Sequence, residues 1–287
     1  MRMAYLILAH HDEVQLAAQL ARLLPPGTPD IAIVHADRRS SLWHGLRLAP
    51  PGDPARVRLI ADPVAVRWGH WSQVAAVLRL IEAALDAGCD YAHLISGADW
   101  PIADREEIVA ALSRVNVPSC RIEASPGLQE DRMQTFRLDA RWLQLDPVRN
   151  RLAYAATWEL RRASRWLDLR RRPRSRPWGN WCKGSTWWSL PAEALKLLAR
   201  ELPSLIASGR LHGTLCADEH AIQTIVAAHY PKRLAPNRRF IVWPEDRSSP
   251  RLLGAADRPQ MLASGAWFAR KVSLDHDPFF LDLPQGL

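Results

Sequence analysis

Ala4 to Ala9 is an unbroken apolar run that opens the chain and reads as a fully buried strand. Val14 to Leu24 places apolar residues at helical spacing, and Pro25, Pro26 and Gly27 stop it. Asp30 to His35 is a second buried strand, leading into Ala36 and Asp37, and Arg56 to Ile60 is a third, shorter one. Ser72 to Ala87 is apolar on one side of a helical wheel and predicts an amphipathic helix with Ser72 as its cap. Tyr91 to Ile95 is a fourth strand, which runs into Ser96-Gly97-Ala98-Asp99-Trp100-Pro101, and a helix is expected from Asp104 to Arg114.

Strands and helices in this alternation predict parallel pairing with crossover helices, hence an α/β fold. In open sheets of that kind ligands sit beyond the carboxyl ends of the strands. His10, His11, His35, Asp37, Ser96 and Asp99 stand at those ends and are expected to converge on one crevice. After residue 115 the pattern weakens. Val117 to Glu123 reads as a strand, Thr135 to Leu145 is ambiguous, and Thr157 to Leu169 reads as a helix. Thr186 to Leu190 reads as a strand and Pro191 to Leu202 as a helix with Pro at its first turn. His220 to Ala228 reads as a helix opened by Asp218 and Glu219, and short strands follow from Arg239 to Trp243 onward. No repeat and no boundary divides the 287 residues, so one domain is expected.

At 48% apolar residues the chain can bury a full core without staples. Its four cysteines, Cys89, Cys120, Cys182 and Cys216, form no C-x-x-C pair, which argues against a zinc ribbon or redox motif and for reduced thiols. The apolar run from Met3 to Ala9 is too short to span a membrane, so a soluble cytoplasmic chain is expected. The formal charge of +8 admits nucleic acid, an anionic membrane or a phosphate-bearing substrate as partner. Much of it lies between Arg161 and Lys183, where a solvated loop and peripheral contact with lipid headgroups or an acidic partner both stay open. No nucleic-acid reading motif accompanies the charge, and no nucleic-acid partner is expected. Thirteen Trp is a high number, and those not in the core suit the binding of flat rings, sugars included.

The chain has no Walker A or G-x-G-x-x-G loop, no G-x-S-x-G elbow and no H-E-x-x-H. A metal-dependent sugar transferase usually holds its cation with Asp-x-Asp at a strand end. The spelling occurs only at Asp275-His276-Asp277, which follows no buried strand and reads as a surface turn. Without a metal, Arg or Lys would have to neutralise a leaving diphosphate. Arg270 and Lys271 follow an aromatic run, with Arg247 and Arg251 about twenty residues earlier. Asp218-Glu219-His220 opens a helix, where a carboxylate serves either as proton acceptor or as a dipole-favoured cap.

Seven segments resemble, in order, the core-2/I-branching N-acetylglucosaminyltransferase family, which includes the peptide xylosyltransferases. They are Ala4 to His11, His35 to Arg39, Val66 to Ser72, His93 to Ile102, Gly184 to Leu190, Asp218 to His220, and Trp267 to Lys271. The compact chain resembles the bacterial branch. The resemblance implies a GT-A-like single domain with a Rossmann-like, mostly parallel central sheet flanked by helices. Residues 1–115 would form its nucleotide-binding half and 116–287 its acceptor-binding and catalytic half. It implies an inverting transfer of N-acetylglucosamine or xylose from a UDP-sugar to a hydroxyl of a glycan or peptide, with no cofactor and no metal ion. Glu219 matches the family's general base and Lys271 its diphosphate-binding lysine. Arg251, with Arg247 as rival, matches an assisting arginine. Ala9, His10, Asp37 and Trp68 fall where uridine and ribose are held. Glu123 and Arg132 fall near acceptor-binding positions, and Trp187 and Trp188 border that site. The alternative is a non-catalytic glycan- or nucleotide-binding protein of the same fold.

Overall fold

The computed structural model describes residues 1–49, 51–114, 117–134, 178–245 and 249–283, with positions 152 and 155 besides. The expected helix at Thr157 to Leu169, the ambiguous stretch at Thr135 to Leu145, Arg247 and most of the basic segment lie outside the described residues.

β1 (Met3–Ala9), β2 (Ile31–Ala36) and β4 (Tyr91–Ser96) are the continuous apolar runs of the sequence, and they form the middle of the main sheet. β1 pairs in parallel with both β2 and β4, and β3 (Val57–Leu59) adds in parallel outside β2. Alternate residues of β1 enter different cores. Ala4 and Leu6 pack with α3 (Ser72–Asp86), and Tyr5 and Ile7 pack with α1 (Glu13–Leu23) and α2 (Ser41–Leu48). Helices on both faces explain why these strands show no polar face.

The seven-strand sheet runs β10-β6-β9-β4-β1-β2-β3. β6 (Cys120–Arg121), β9 (Ser189–Pro191) and β10 (Leu234–Ala235) are short, and β9 lies antiparallel to both β4 and β6. The fold is thus α/β with a mostly parallel central sheet flanked by helices, as expected. A second sheet, in the order β11-β12-β5, joins β5 (Asp99–Pro101), β11 (Arg239–Ile241) and β12 (Phe268–Arg270). A two-strand ribbon pairs β7 (Ser125–Pro126) with β8 (Cys182–Lys183).

Several elements differ from the sequence expectation. Ser72 is the first residue of α3 and not its cap, because its hydroxyl accepts the Arg67 N–H at 3.0 Å. α2 was not expected, although Ser40 caps it by accepting the Trp43 N–H. The run from Val117 to Glu123 yields strand only at Cys120 and Arg121, and that from Thr186 to Leu190 yields Ser189 to Pro191. α4 (Arg105–Ser113), the short α5 (Asp131–Gln134) and α7 (Ala221–His229) precede or frame the site below. α6 (Ala192–Ala207) runs five residues past the expected end and through Pro203. Its buried face, Leu195, Leu198, Leu202 and Leu205, continues across the proline, and that packing offsets the roughly 3 kcal/mol that an interior proline costs.

Candidate functional site

The register of the main sheet aligns the strand ends. Ala9 of β1 lies beside Ala36 of β2, and Leu8 beside Ser96 of β4. The chain stays tied past those ends, with Asp37 N donating to Ala9 O at 2.9 Å and Gly97 N to Leu8 O at 3.0 Å. Ala9, Asp37, Ser96 and Asp99 therefore gather on one edge, as the carboxyl-end rule predicts. His35 does not join them. It is buried, and its Nε2 accepts the Val64 N–H at 2.8 Å, which pins the loop that carries Trp68. Arg39 binds Asp37 at 3.2 Å and also donates to the Val66 carbonyl, so the Asp37 turn rests on the same loop. Trp68 itself is 69% exposed at the rim.

Glu219 ends a single 3₁₀ turn, Ala217 to Glu219, just before α7. The turn is positioned from two sides. Cys216, at φ 51°, donates its N–H to the carbonyl of Gly69, and Gly184 N donates to the carbonyl of Glu219 at 3.0 Å. The Glu219 carboxylate meets Arg132 of α5 at 2.7 Å and Lys183 of β8 at 3.8 Å, both through Oε2. Oε1 makes no hydrogen bond among the described residues. Neither acid acts as a helix cap, since α7 has no side-chain cap bond. Asp218 is buried and accepts the Thr186 hydroxyl at 2.7 Å. Burial pushes its carboxyl up to about 6; the Thr186 hydroxyl opposes the shift and the Glu219 charge adds to it. His220 is buried too, with Nδ1 3.1 Å from the Cys216 carbonyl.

Glu123 reaches the same place from β6. Its carboxylate accepts the Ser185 N–H at 3.2 Å, and its carbonyl sits so close to Gly184 that an added Cβ there would lie 1.9 Å from the carbonyl oxygen. Only glycine permits this approach. Arg132, Lys183 and Glu219 thus form one polar cluster, and Glu123 holds the segment next to Lys183.

Trp187 continues that segment toward a second cluster. The Arg270 guanidinium lies 4.4 Å over the Trp187 ring, and its Nη1 donates to the Ser96 hydroxyl and to Asp99 at 3.3 Å. Arg270 and Asp99 are cross-strand partners in the β12–β5 pair. Lys271 follows directly. Burial, and then the charges of His11, Lys271 and Arg270 with Asp37 opposing, push the His10 imidazole below its ordinary value.

Two expected site residues are committed to other contacts. Trp188 is fully buried in the core and does not border the crevice, because alternation from the half-buried Trp187 turns it inward. Arg251 is chelated by Asp257, with Nη1 to Oδ2 at 2.8 Å and Nη2 to Oδ1, which closes the loop from 251 to 257. Lys183, by contrast, was not singled out by the sequence, and Arg270 was noted there only as a cation beside Lys271. Both lie in segments whose charge has no visible partner until the chain folds.

Asp277 accepts the N–H groups of Ala255 and Phe279, so the Asp275-His276-Asp277 spelling belongs to a turn. Among the described residues no three His, Cys, Asp or Glu side chains converge as a metal site. A cavity of about 220 Å³ lies between α1 and α4, lined by Tyr5, Arg22, Arg105 and Ile108 among others, and none of the crevice residues reaches it. Among the described residues no helix is long and apolar enough to cross a membrane.

The sequence profile of the Core-2/I-Branching enzyme family matches residues 3–260. No curated protein matches the chain. Among solved structures, one similar fold is a Bacillus anthracis protein assigned as a glucose-1-phosphate thymidylyltransferase, in complex with sucrose. It has 11% identity and a TM-score of 0.37, over 82% of this chain and 86% of that one. Another is a 4-diphosphocytidyl-2C-methyl-D-erythritol synthase, with 13% identity and a TM-score of 0.33, over 71% and 85%. Likenesses this weak say nothing about activity.

Proposed function

The chain belongs to the Core-2/I-branching enzyme family, a family of glycosyltransferases, and from that premise we propose an inverting, metal-independent transfer from a UDP-sugar with Glu219 as general base. The donor sugar is N-acetylglucosamine or xylose, and the acceptor is a hydroxyl of a glycan or peptide.

The observation that carries the reading is the split use of the Glu219 carboxylate. Oε2 is anchored by Arg132 at 2.7 Å, while Oε1 has no partner among the described residues and the side chain keeps 30% of its surface open. A base must be held in orientation yet leave one oxygen for the proton it takes. Oε1 accepts the acceptor's hydroxyl proton as that oxygen attacks the anomeric carbon. The bond from the anomeric carbon to the diphosphate oxygen breaks on the opposite face, and UDP leaves with the bonding pair. Lys271, which follows β12, meets the developing charge on the diphosphate. Ala9, Asp37 and Trp68 would hold the uridine and ribose. Arg132, paired with Glu219, and Glu123 and Trp187, on or bound to the segment from Gly184 to Trp187, would hold the acceptor.

The test is UDP release and product formation in EDTA, with a panel of UDP-sugars and the Glu219→Gln variant. Transfer is expected with one donor and to fall by about 10²–10⁴-fold in the variant, the usual contribution of a positioned base. Near-normal turnover in Glu219→Gln removes the base assignment. Activity that EDTA abolishes and a divalent ion restores removes metal independence.

A further inference from the structure

The cavity between α1 and α4 lies away from the crevice, toward the other end of β1. Arg105, on its wall, pairs with Asp30 at 2.6 Å and donates to the Met1 carbonyl at 3.0 Å, and Asp30 accepts the Met3 N–H at 2.9 Å. The cavity therefore stands beside the amino-terminal part of β1, whereas the crevice lies past its carboxyl end at Ala9.

Tyr5 is the unusual group there. The residue is 2% exposed, yet its hydroxyl makes no hydrogen bond among the described residues. The oxygen is not one of the buried polar atoms sealed off without a partner, so it keeps surface open to the cavity that Tyr5 lines. Burial pushes the phenol far above its ordinary value, with Asp30 adding and Arg105 opposing, so the group stays a neutral O–H. A hydroxyl so placed lacks a partner unless one enters the cavity.

The polar groups around it are of both kinds. Arg105 gives Nε and Nη2 to Asp30, and its Nη1 makes no hydrogen bond among the described residues. Asp104 stands at the cap of α4 without a side-chain cap bond. Two arginines, Arg22 and Arg105, share the lining with two acids, Asp104 and Glu106, so its formal charge is balanced. An anion would meet the carboxylates, and a cation the guanidinium groups. A purely apolar ring would leave Tyr5 and Arg105 unpaired. A hydroxyl donates and accepts at once, so it satisfies a carboxylate together with a guanidinium or phenol. Leu23, Ile108 and Phe268 add apolar surface for the C–H face of a ring. The volume of about 220 Å³ exceeds the ~10–15 Å³ that one water needs and falls below the ~300–1,000 Å³ of drug-sized pockets, which suits a single ring.

We propose that this cavity is a sugar-binding site separate from the crevice, which takes one neutral, hydroxyl-bearing ring through Tyr5, Arg105 and Asp104. It holds the ring without reacting with it. The site does not depend on the UDP-sugar reading above.

The experiment titrates the full chain with the methyl glycosides of glucose, galactose, mannose and N-acetylglucosamine at millimolar concentrations, read by the backbone amide resonances of the first turn of α4. Inorganic phosphate and phenol serve as the anionic and apolar probes. At least one glycoside is expected to shift the amides of Arg105, Glu106 and Ile108 saturably. Tyr5→Phe should weaken that binding about 2- to 10-fold, the range for one neutral hydrogen bond, and Asp104→Ala about 10- to 100-fold, the range for one to a charged group. Tyr5→Phe removes a hydroxyl that has no protein partner, so urea unfolding should find the sugar-free variant no less stable, which separates lost binding from a lost fold. Glu219→Gln should bind the glycoside at α4 as the parent does. No shift with any of the four glycosides overturns the proposal. So does a shift with phosphate or phenol and none with a glycoside, or glycoside binding that Tyr5→Phe and Asp104→Ala both leave intact. Shifts that vanish in Glu219→Gln overturn the separation from the crevice.

Discussion

Asp218 is the most demanding carboxyl of the site to keep charged, and replacing it with Asn tests the electrostatics directly. The group is 5% exposed, and its one side-chain partner is the Thr186 hydroxyl at 2.7 Å. Burial raises its proton affinity from the ordinary 3.8 to about 6, with the adjoining Glu219 charge contributing. Between those values the folded chain holds a proton that the unfolded chain has released. Stability changes with pH in proportion to protons bound unfolded minus protons bound folded, a negative difference here. Stability from this group is therefore fully present below about pH 4 and is lost as pH rises through about 6. The interval from 3.8 to about 6 corresponds to about 3 kcal/mol. Asn carries no proton across the window and keeps an oxygen for Thr186.

The assay is urea unfolding of both chains at several pH values from 4 to 7.5. The stability of Asp218→Asn relative to the parent should climb by about 3 kcal/mol across that range and then level off, whatever its starting value. Using the difference removes titrating groups that the two chains share. Measuring it again in a Glu219→Gln background should shrink the climb, since one of its causes is gone. A difference that stays flat, or that falls with pH, refutes the assignment of a buried, proton-holding Asp218.

Two further substitutions test how the crevice is supported. Gly184→Ala drives a Cβ to 1.9 Å from the Glu123 carbonyl oxygen, so the two segments must part; urea unfolding should show a loss of at least the ~1–3 kcal/mol of an overpacked core, and turnover should fall with it. Wild-type stability would disprove the close approach. Trp188→Ala should cost about 3–5 kcal/mol by the same assay, as for other large side chains removed from cores; an unchanged stability with a raised acceptor KM would return Trp188 to the acceptor site.

What the sequence discloses follows the range of the interactions involved. β1, β2 and β4 are legible because parallel strands covered on both faces need uninterrupted apolar residues. β6, β9 and β10 are two or three residues long, too brief to carry a period, and are strands only because the sheet edge pairs them. α2 escaped because its eight residues bury only Leu42, Trp43 and Leu46, too little for a helical stripe. Thr186 to Leu190 was legible as apolar chain, but which of its two adjacent Trp faces inward depends on the register that Ser189 takes against His93.

The site divides along the same line. Asp218 and Glu219 are visible as a pair of acids before a helix, and only the family resemblance tells a base from a cap. Their separate partners, Thr186 and Arg132, lie 32 and 87 residues away. The arginines make the case most clearly. By position alone Arg247, Arg251 and Arg270 are all candidates for a phosphate, and the resemblance favours Arg251 with Arg247 as rival. Arg251 has an acid six residues on, near enough in sequence to close a local loop on itself. Arg270 reaches an acid 171 residues back, across a strand pair, and that distant partner holds it by one nitrogen. The Arg270–Asp99 pair is therefore a property of the β5–β12 pairing, and no motif that spans a few residues could contain it.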